Sequence, residues 1–513
     1  MTARKRRDCV IGLFAGAILA FAVGAAAAQD DPKPSPSPSE SAAKPTPVLP
    51  AHVETHHTIQ LGQRSLDYRT VSETIALKDE KGSQTASIFT IAYLADPKPG
   101  QARPIAFLFN GGPGAASVFL HLGAVGPRIM EPTPTGTVPN PPVRIVDNPS
   151  TWLDFTDLVF VDPVGTGFSR GEGKDDNPGK KFWNVRGDID SLDATVRLWL
   201  TQHERWGSPV YLVGESYGGF RVAAMAKSLE RDEGITPNGI VMVSPALDWA
   251  MLNPDPGDLV AGAVDLPTYA GSVAALSGDT KFDAKPVEQF ALSEYLTGLA
   301  AMKGVPPPGD PFIAKVAGMI GLPEDIVRRE RGWVGKEVFA HELRRKQDEV
   351  VSLYDATITR ASPANPWDQT GGDPVLDNAI AAYTQAFNVY APDGLGYRTE
   401  LQYRVLPMTI NRQWNFDGAR EGQDGLGFAL SGLQTALLDH PATKVLIANG
   451  RYDLVTPYLA SRWLIDQLAI PAAVRDAIRI KVYDGGHMMY MRQDSRAALA
   501  ADAAALFATA HVP

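Results

Sequence analysis

Short, uninterrupted apolar runs punctuate the chain at residues 105–109, 158–161, 210–213, 240–243, 445–448 and 478–483. Runs of this length without polar alternation are expected of strands buried on both faces of a parallel sheet. Between them the period becomes helical. Ile189, Leu192, Val196 and Trp199 share one face, Val222, Met225, Ala226 and Leu229 another, and Leu499, Ala503, Leu506 and Phe507 line a last helix at 494–510. Upstream, residues 57–95 alternate polar and apolar about a Lys81-Gly82 turn, the pattern of antiparallel hairpins. The chain therefore predicts the α/β class, with a mostly parallel central sheet and helices on both faces. About 200 residues separate Val243 from Val445, far more than one crossover helix needs. Residues 248–403 are expected to form an inserted lid between core halves at 51–247 and 404–513.

The first residues break this pattern. Arg4, Lys5, Arg6 and Arg7 precede an apolar stretch from Val10 to about Gly24, which ends in four alanines up to Ala28 and a polar Gln29-Asp30-Asp31. This predicts a secretory signal peptide over 1–28, too short in its apolar part to span a bilayer. A Pro/Ser-rich segment at 29–50 cannot bury enough apolar surface to order itself and reads as a tether. The only cysteine, Cys9, would leave with the signal, so the mature protein would hold together by packing without disulfides. Removing 1–28 leaves 44 Lys+Arg against 57 Asp+Glu, about −13. That balance disfavours nucleic acid as a partner. The expectation is an exported protein, periplasmic or extracellular, with no membrane span once the signal is gone.

The sharpest chemical signal is Gly214-Glu215-Ser216-Tyr217-Gly218-Gly219. It directly follows an apolar run and precedes a helical face. A Gly-x-Ser-x-Gly in that context makes a tight strand-to-helix turn that exposes the hydroxyl, and the helix N-terminus favours the negative charge developing nearby. Ser216 is thus the candidate nucleophile, and it needs a base and a carboxylate. Of nine histidines, His487 alone follows a strand pattern and a Gly485-Gly486 pair that can present a ring at the sheet's edge. Asp453, just after the run at 445–448, is the candidate orienting acid, with Asp484 as competitor. Backbone amides of Gly112, in the loop Asn110-Gly111-Gly112-Pro113-Gly114, and of Tyr217 are the candidate oxyanion hole.

Taken with Asp162-Pro163-Val164-Gly165-Thr166-Gly167-Phe168-Ser169, Asn449 to Asp453 and Gly485-Gly486-His487-Met488, these motifs stand in the order of the serine carboxypeptidase family, which the chain resembles from about residue 60 onward. The resemblance implies the α/β-hydrolase fold with a lid, an acyl-enzyme, no metal or other cofactor, and peptide substrates trimmed from the C-terminus. It also implies that Asn110, Gly111 and Glu215 bind the substrate carboxylate, with Met488 as a further substrate contact. In the family a second Glu shares a proton with the first. Here Ala124 stands at that position, and a lone carboxylate facing a substrate carboxylate repels it unless one is protonated. Arg128 is a candidate to compensate.

Three functions compete on this reading: a serine-type carboxypeptidase, a secreted serine esterase or acyltransferase on the same fold, and a non-catalytic binding homologue. The expected partners are peptides and, optionally, a second copy of the chain as a homodimer.

Overall fold

The computed structural model describes residues 49, 52–96, 102–255, 257–362, 372–417 and 427–509, all within a unit spanning residues 47–513. The expected signal peptide and nearly all of the tether lie outside the described residues.

The central sheet takes nine principal strands: β1 (His52–Leu61), β2 (Arg64–Lys78), β3 (Gln84–Ala95), β4 (Ile105–Phe109), β5 (Asp157–Val161), β6 (Val210–Glu215), β7 (Gly239–Val243), β8 (Lys444–Gly450) and β9 (Ile478–Tyr483). Their spatial order is β1-β2-β3-β5-β4-β6-β7-β8-β9, and Arg170–Gly171 adds a short pairing to β3. β1, β2 and β3 are antiparallel to their neighbours, whereas the six strands from β5 to β9 are parallel. This is the α/β-hydrolase arrangement: a mostly parallel sheet, strongly apolar at its centre, with helices around it.

Alternate residues of each central strand enter separate cores. Ala106 and Leu108 of β4, Tyr211 and Val213 of β6, and Val241 and Val243 of β7 belong to one cluster. Ile105, Phe107, Phe109, Val210, Leu212, Ile240 and Met242 belong to the other. Both faces are apolar because both are covered. Helices α1 (Val185–Gln202) and α2 (Tyr217–Glu233) cover one face through the predicted sets Ile189, Leu192, Val196, Trp199 and Val222, Met225, Leu229. A long helix, α4 (Pro374–Gly394), and the final helix, α5 (Gln493–Thr509), cover the other. Each large side chain buried this way stabilises the fold by about 1.5–3 kcal/mol.

The chain between β7 and β8 builds a third cluster around α3 (Leu259–Leu276), joined by Tyr269, Ile313, Val316 and Phe339. α3 is long and apolar enough to cross a membrane, yet 67% of it is buried against the protein. The same cluster takes in Leu454, Tyr458 and Leu459, the residues just beyond β8.

Residues 352–358 then wedge between the loops that follow β8 and β9. Leu454 N donates to Leu353 O at 2.9 Å, Ala356 N to Tyr452 O at 3.0 Å, and His487 N to Tyr354 O. The wedge fits because Gly486 has no side chain: a Cβ there would lie 2.0 Å from Tyr354 O and 2.5 Å from the Asp355 backbone. Gly486→Ala is therefore expected to force the wedge outward and to cost about 1–3 kcal/mol, read as a lower midpoint of denaturant unfolding.

Candidate active site

The strand order reverses at β4. β5 lies on one side of it and β6 on the other, so a crevice opens beyond the carboxyl ends of β4 and β6. The two strands are in register through Phe109 and Gly214, which sets Asn110 beside Glu215 and brings the Asn110–Gly112 loop against the turn at Ser216. Ser244 after β7, Asp453 after β8 and His487 after β9 complete the same edge.

Ser216 takes φ 60° and ψ −124°, a region that costs a residue with a side chain on the order of 1–3 kcal/mol. The surroundings over-determine it. Ser216 N donates to Val243 O at 2.9 Å, while Ser216 O accepts from Gly219 N at 2.8 Å and Ala246 N at 3.0 Å. A Cβ on Gly214 would lie 2.0 Å from Gly218 O, one on Gly218 2.3 Å from Phe109 O, and one on Gly219 2.4 Å from Pro245 Cβ. The glycines flanking Ser216 are thus demanded by contact.

His487 is 3% exposed and Asp453 is fully buried. His487 Nδ1 donates to Asp453 Oδ2 at 2.8 Å. Asp453 also accepts from Thr456 Oγ1 on Oδ2, and from Val455 N at 2.8 Å and Thr456 N at 2.9 Å on Oδ1. Burial disfavours the charged imidazole, but the charge and hydrogen bond of Asp453 outweigh it, and the His487 pKa stands above its usual value. Asp484 is exposed and bound to Arg492 Nη1 at 2.5 Å, so Asp453 is the carboxylate that the fold brings to His487. The Tyr354 ring meets the imidazole edge-on, centroids 5.1 Å apart.

Gly112 (φ 99°) lies in the loop facing the turn. The approach is close enough that a Cβ on neighbouring Gly111 would lie 2.4 Å from Tyr217 N. Among the described residues, neither Gly112 N nor Tyr217 N donates in any loop or turn hydrogen bond to backbone. Arg221, fully buried on α2, holds the loop from below: Nη1 donates to Asn110 O, and Nε and Nη2 donate to Asp188 at 2.6 and 3.3 Å.

Glu215 is 3% exposed. Asn110 Nδ2 donates to its Oε2 at 2.7 Å, and Tyr490 OH reaches Oε1 and Oε2 at 2.9 and 3.0 Å. Burial pushes the carboxyl up to about 7 against the opposing pull of His487 and these hydrogen bonds. Met488 is buried beside His487 in the core of the α4 face. Arg128 is not brought to Glu215. It pairs with Asp147 at 2.8 Å and lines a separate cavity with His57, Tyr68 and Tyr390.

Residues 77–239 match the profile of the serine carboxypeptidases. The matched segment is about a third of the chain. It contains the Asn110, Asp162 and Ser216 motifs, whereas Asp453 and His487 lie beyond it. Among curated proteins, the chain is 30% identical over 162 residues to a carboxypeptidase Y homolog of Arthroderma benhamiae, covering 30% of this chain and 29% of that protein. It is 31% identical over 162 residues to the pheromone-processing carboxypeptidase kex1 of Aspergillus fumigatus, covering 27% and 22%. The chain thus matches less than a third of the length of either relative. Among solved structures it is similar to a soluble variant of monoglyceride lipase from Saccharomyces cerevisiae, at 11% identity over 89% of this chain and 97% of that one, with a TM-score of 0.34.

Tyr490, the Arg221–Asp188 pair, Thr456 and Tyr354 escaped the sequence reading. Only Arg221 carried a signal, a cation on an otherwise apolar helix face. Asp188→Ala is expected to leave Arg221 buried without its counter-charge and to cost about 3–5 kcal/mol, measured by equilibrium unfolding.

Proposed function

We propose that the chain is a serine-type carboxypeptidase that hydrolyses C-terminal peptide bonds through an acyl-enzyme. The observation that carries this reading is the convergence of Ser216, on its strained turn, with the buried His487–Asp453 pair at one sheet edge. In this reading Ser216 Oγ attacks the scissile carbonyl and His487 Nε2 takes its proton. Asp453 fixes the tautomer and stabilises the imidazolium, and the Gly112 and Tyr217 amides receive the oxyanion. The proton then passes to the leaving amine, and water, activated by the same imidazole, releases the acid. Residues 248–403 act as the lid, and the basic and apolar N-terminus serves export.

Glu215 decides the substrate. As a neutral acid it donates to a peptide's terminal carboxylate, and as an anion it repels it. With a pKa of about 7, it is protonated in mildly acidic solution without a second acid at position 124. Asn110, Gly111 and Met488 complete the proposed substrate contacts. Ala124 favours the esterase or acyltransferase as second reading, since a site without the acid pair has less claim on a carboxylate.

The test is cleavage of a blocked dipeptide with a free C-terminus against its amidated twin, from pH 4 to 8. Preference for the free acid supports the carboxypeptidase. Equal or no cleavage, with p-nitrophenyl ester hydrolysis intact, supports the esterase. For the free acid, kcat/KM is expected to be bell-shaped, rising as His487 loses its proton and falling above about pH 7 as Glu215 ionises, whereas an ester without a carboxylate shows only the rising limb. Asp453→Asn is expected to lower kcat by about 10⁴-fold with little change in KM, in steady-state assays of either substrate.

A further inference from the structure

The carboxyl of Glu215 has the partner that position 124 does not supply. Residues 121–125 form a buried π-helical turn that includes Gly123 and Ala124. The space above it is occupied by two phenols: a Cβ on Gly123 would meet Tyr383 OH at 2.1 Å and the Tyr490 ring at 3.0 Å. Tyr490 itself is fully buried and hydrogen-bonds both oxygens of Glu215. Its position is fixed from two sides. Arg496 Nη1 donates to Tyr490 O at 2.9 Å, and the hydroxyl of Tyr383, 3.3 Å from Met491 Sδ, interacts with that of Tyr490.

We propose that Tyr490 is a positioning residue for substrate recognition, standing in for a second acid: with Asn110 it fixes the Glu215 carboxyl so that Oε1 presents its proton to the substrate carboxylate. This rests on the carboxypeptidase reading. Asn110 Oδ1 accepts from Leu120 N at 3.0 Å, so its amide nitrogen is the atom directed at Glu215 Oε2. Tyr490 OH bridges the two oxygens, 2.9 Å from Oε1 and 3.0 Å from Oε2, so it holds the carboxyl plane while Asn110 marks Oε2 as the acceptor. The acidic proton is left on Oε1, which among the described residues hydrogen-bonds the shared phenol. A second carboxylic acid would raise the Glu215 pKa by sharing a proton. A phenol leaves that to burial and supplies direction. The other groups that face Glu215 are His487, Asp453, Tyr354 and Tyr383, none of them a cation except the protonated imidazole.

The experiment compares wild type and Tyr490→Phe on a blocked dipeptide with a free C-terminus, its amide, and a p-nitrophenyl ester, across pH 5 to 9. Tyr490→Phe keeps the ring and removes one oxygen. The expected result is a KM for the free acid raised about tenfold, with kcat on that peptide and hydrolysis of the ester within about twofold of wild type. The alkaline limb for the free acid should also move to higher pH, because the Glu215 anion loses a donor. A merely structural role would lower all three activities together and leave the limb in place, and that result overturns the proposal. An unchanged KM and limb overturn it as well. If Tyr490→Phe does not accumulate folded, Tyr383→Phe, which removes a contact that fixes the Tyr490 hydroxyl against Glu215, must shift KM and limb in the same direction or the proposal fails. Wild type without preference for the free acid over the amide overturns the carboxypeptidase reading and this inference together. Preference in wild type with an indifferent Tyr490→Phe overturns this inference alone.

Discussion

Ser216 holds a backbone conformation that most residues avoid, and the rest of the site is built on what that conformation requires. To turn from β6 into α2 within one residue, the chain must pass within van der Waals contact of itself. Gly214 abuts Gly218 O, Gly218 abuts Phe109 O, and Gly219 abuts Pro245. The same compression brings the Asn110–Gly112 loop onto the turn, so amides, hydroxyl and the Glu215 carboxyl converge by contact. Such a turn needs support from outside itself. Arg221 bonds the loop carbonyl from below and neutralises its own charge on Asp188. Val243 and Ala246 pin Ser216 from the neighbouring strand's end.

The fold was legible because its signals are local, and the same signals put Ser216, Asp453 and His487 just past the ends of three strands of one sheet. β4, β6 and β7 are uninterrupted apolar runs of strand length, and both of their faces are buried, as such runs imply. The Gly214 to Gly219 pattern encodes a clash list that only glycine satisfies, and His487 is announced by two glycines whose bareness admits Met489 and Tyr354. The choice of Asp453 over Asp484 could also be made from position, since a strand's end delivers a residue to the sheet edge.

What was not legible is whatever depends on segments far apart in sequence. Tyr490 lies only three residues beyond His487, yet nothing in its neighbours indicates that it turns back to Glu215, 275 residues upstream. Arg128 looked available because its partner, Asp147, joins it only when residues 128–130 and 145–147 pair as a small hairpin. Tyr354 belongs to the chain between β7 and β8, where helical patterns are mixed and no motif marks the wedge.

That wedge has a consequence for the order of events. Ser216 is set by contacts among residues 105–246, but Asp453 and His487 are held in part by residues 352–358, about a hundred or more positions away. Both sets of contacts close chain loops of about a hundred residues or more, but the second also needs the segment from residue 444 onward, which is synthesised last. A newly made chain can therefore close the turn at Ser216 before the Asp453–His487 pair exists. Ser216, Asp453 and His487 come to share one sheet edge only once residues 444–487 have joined the middle of the chain.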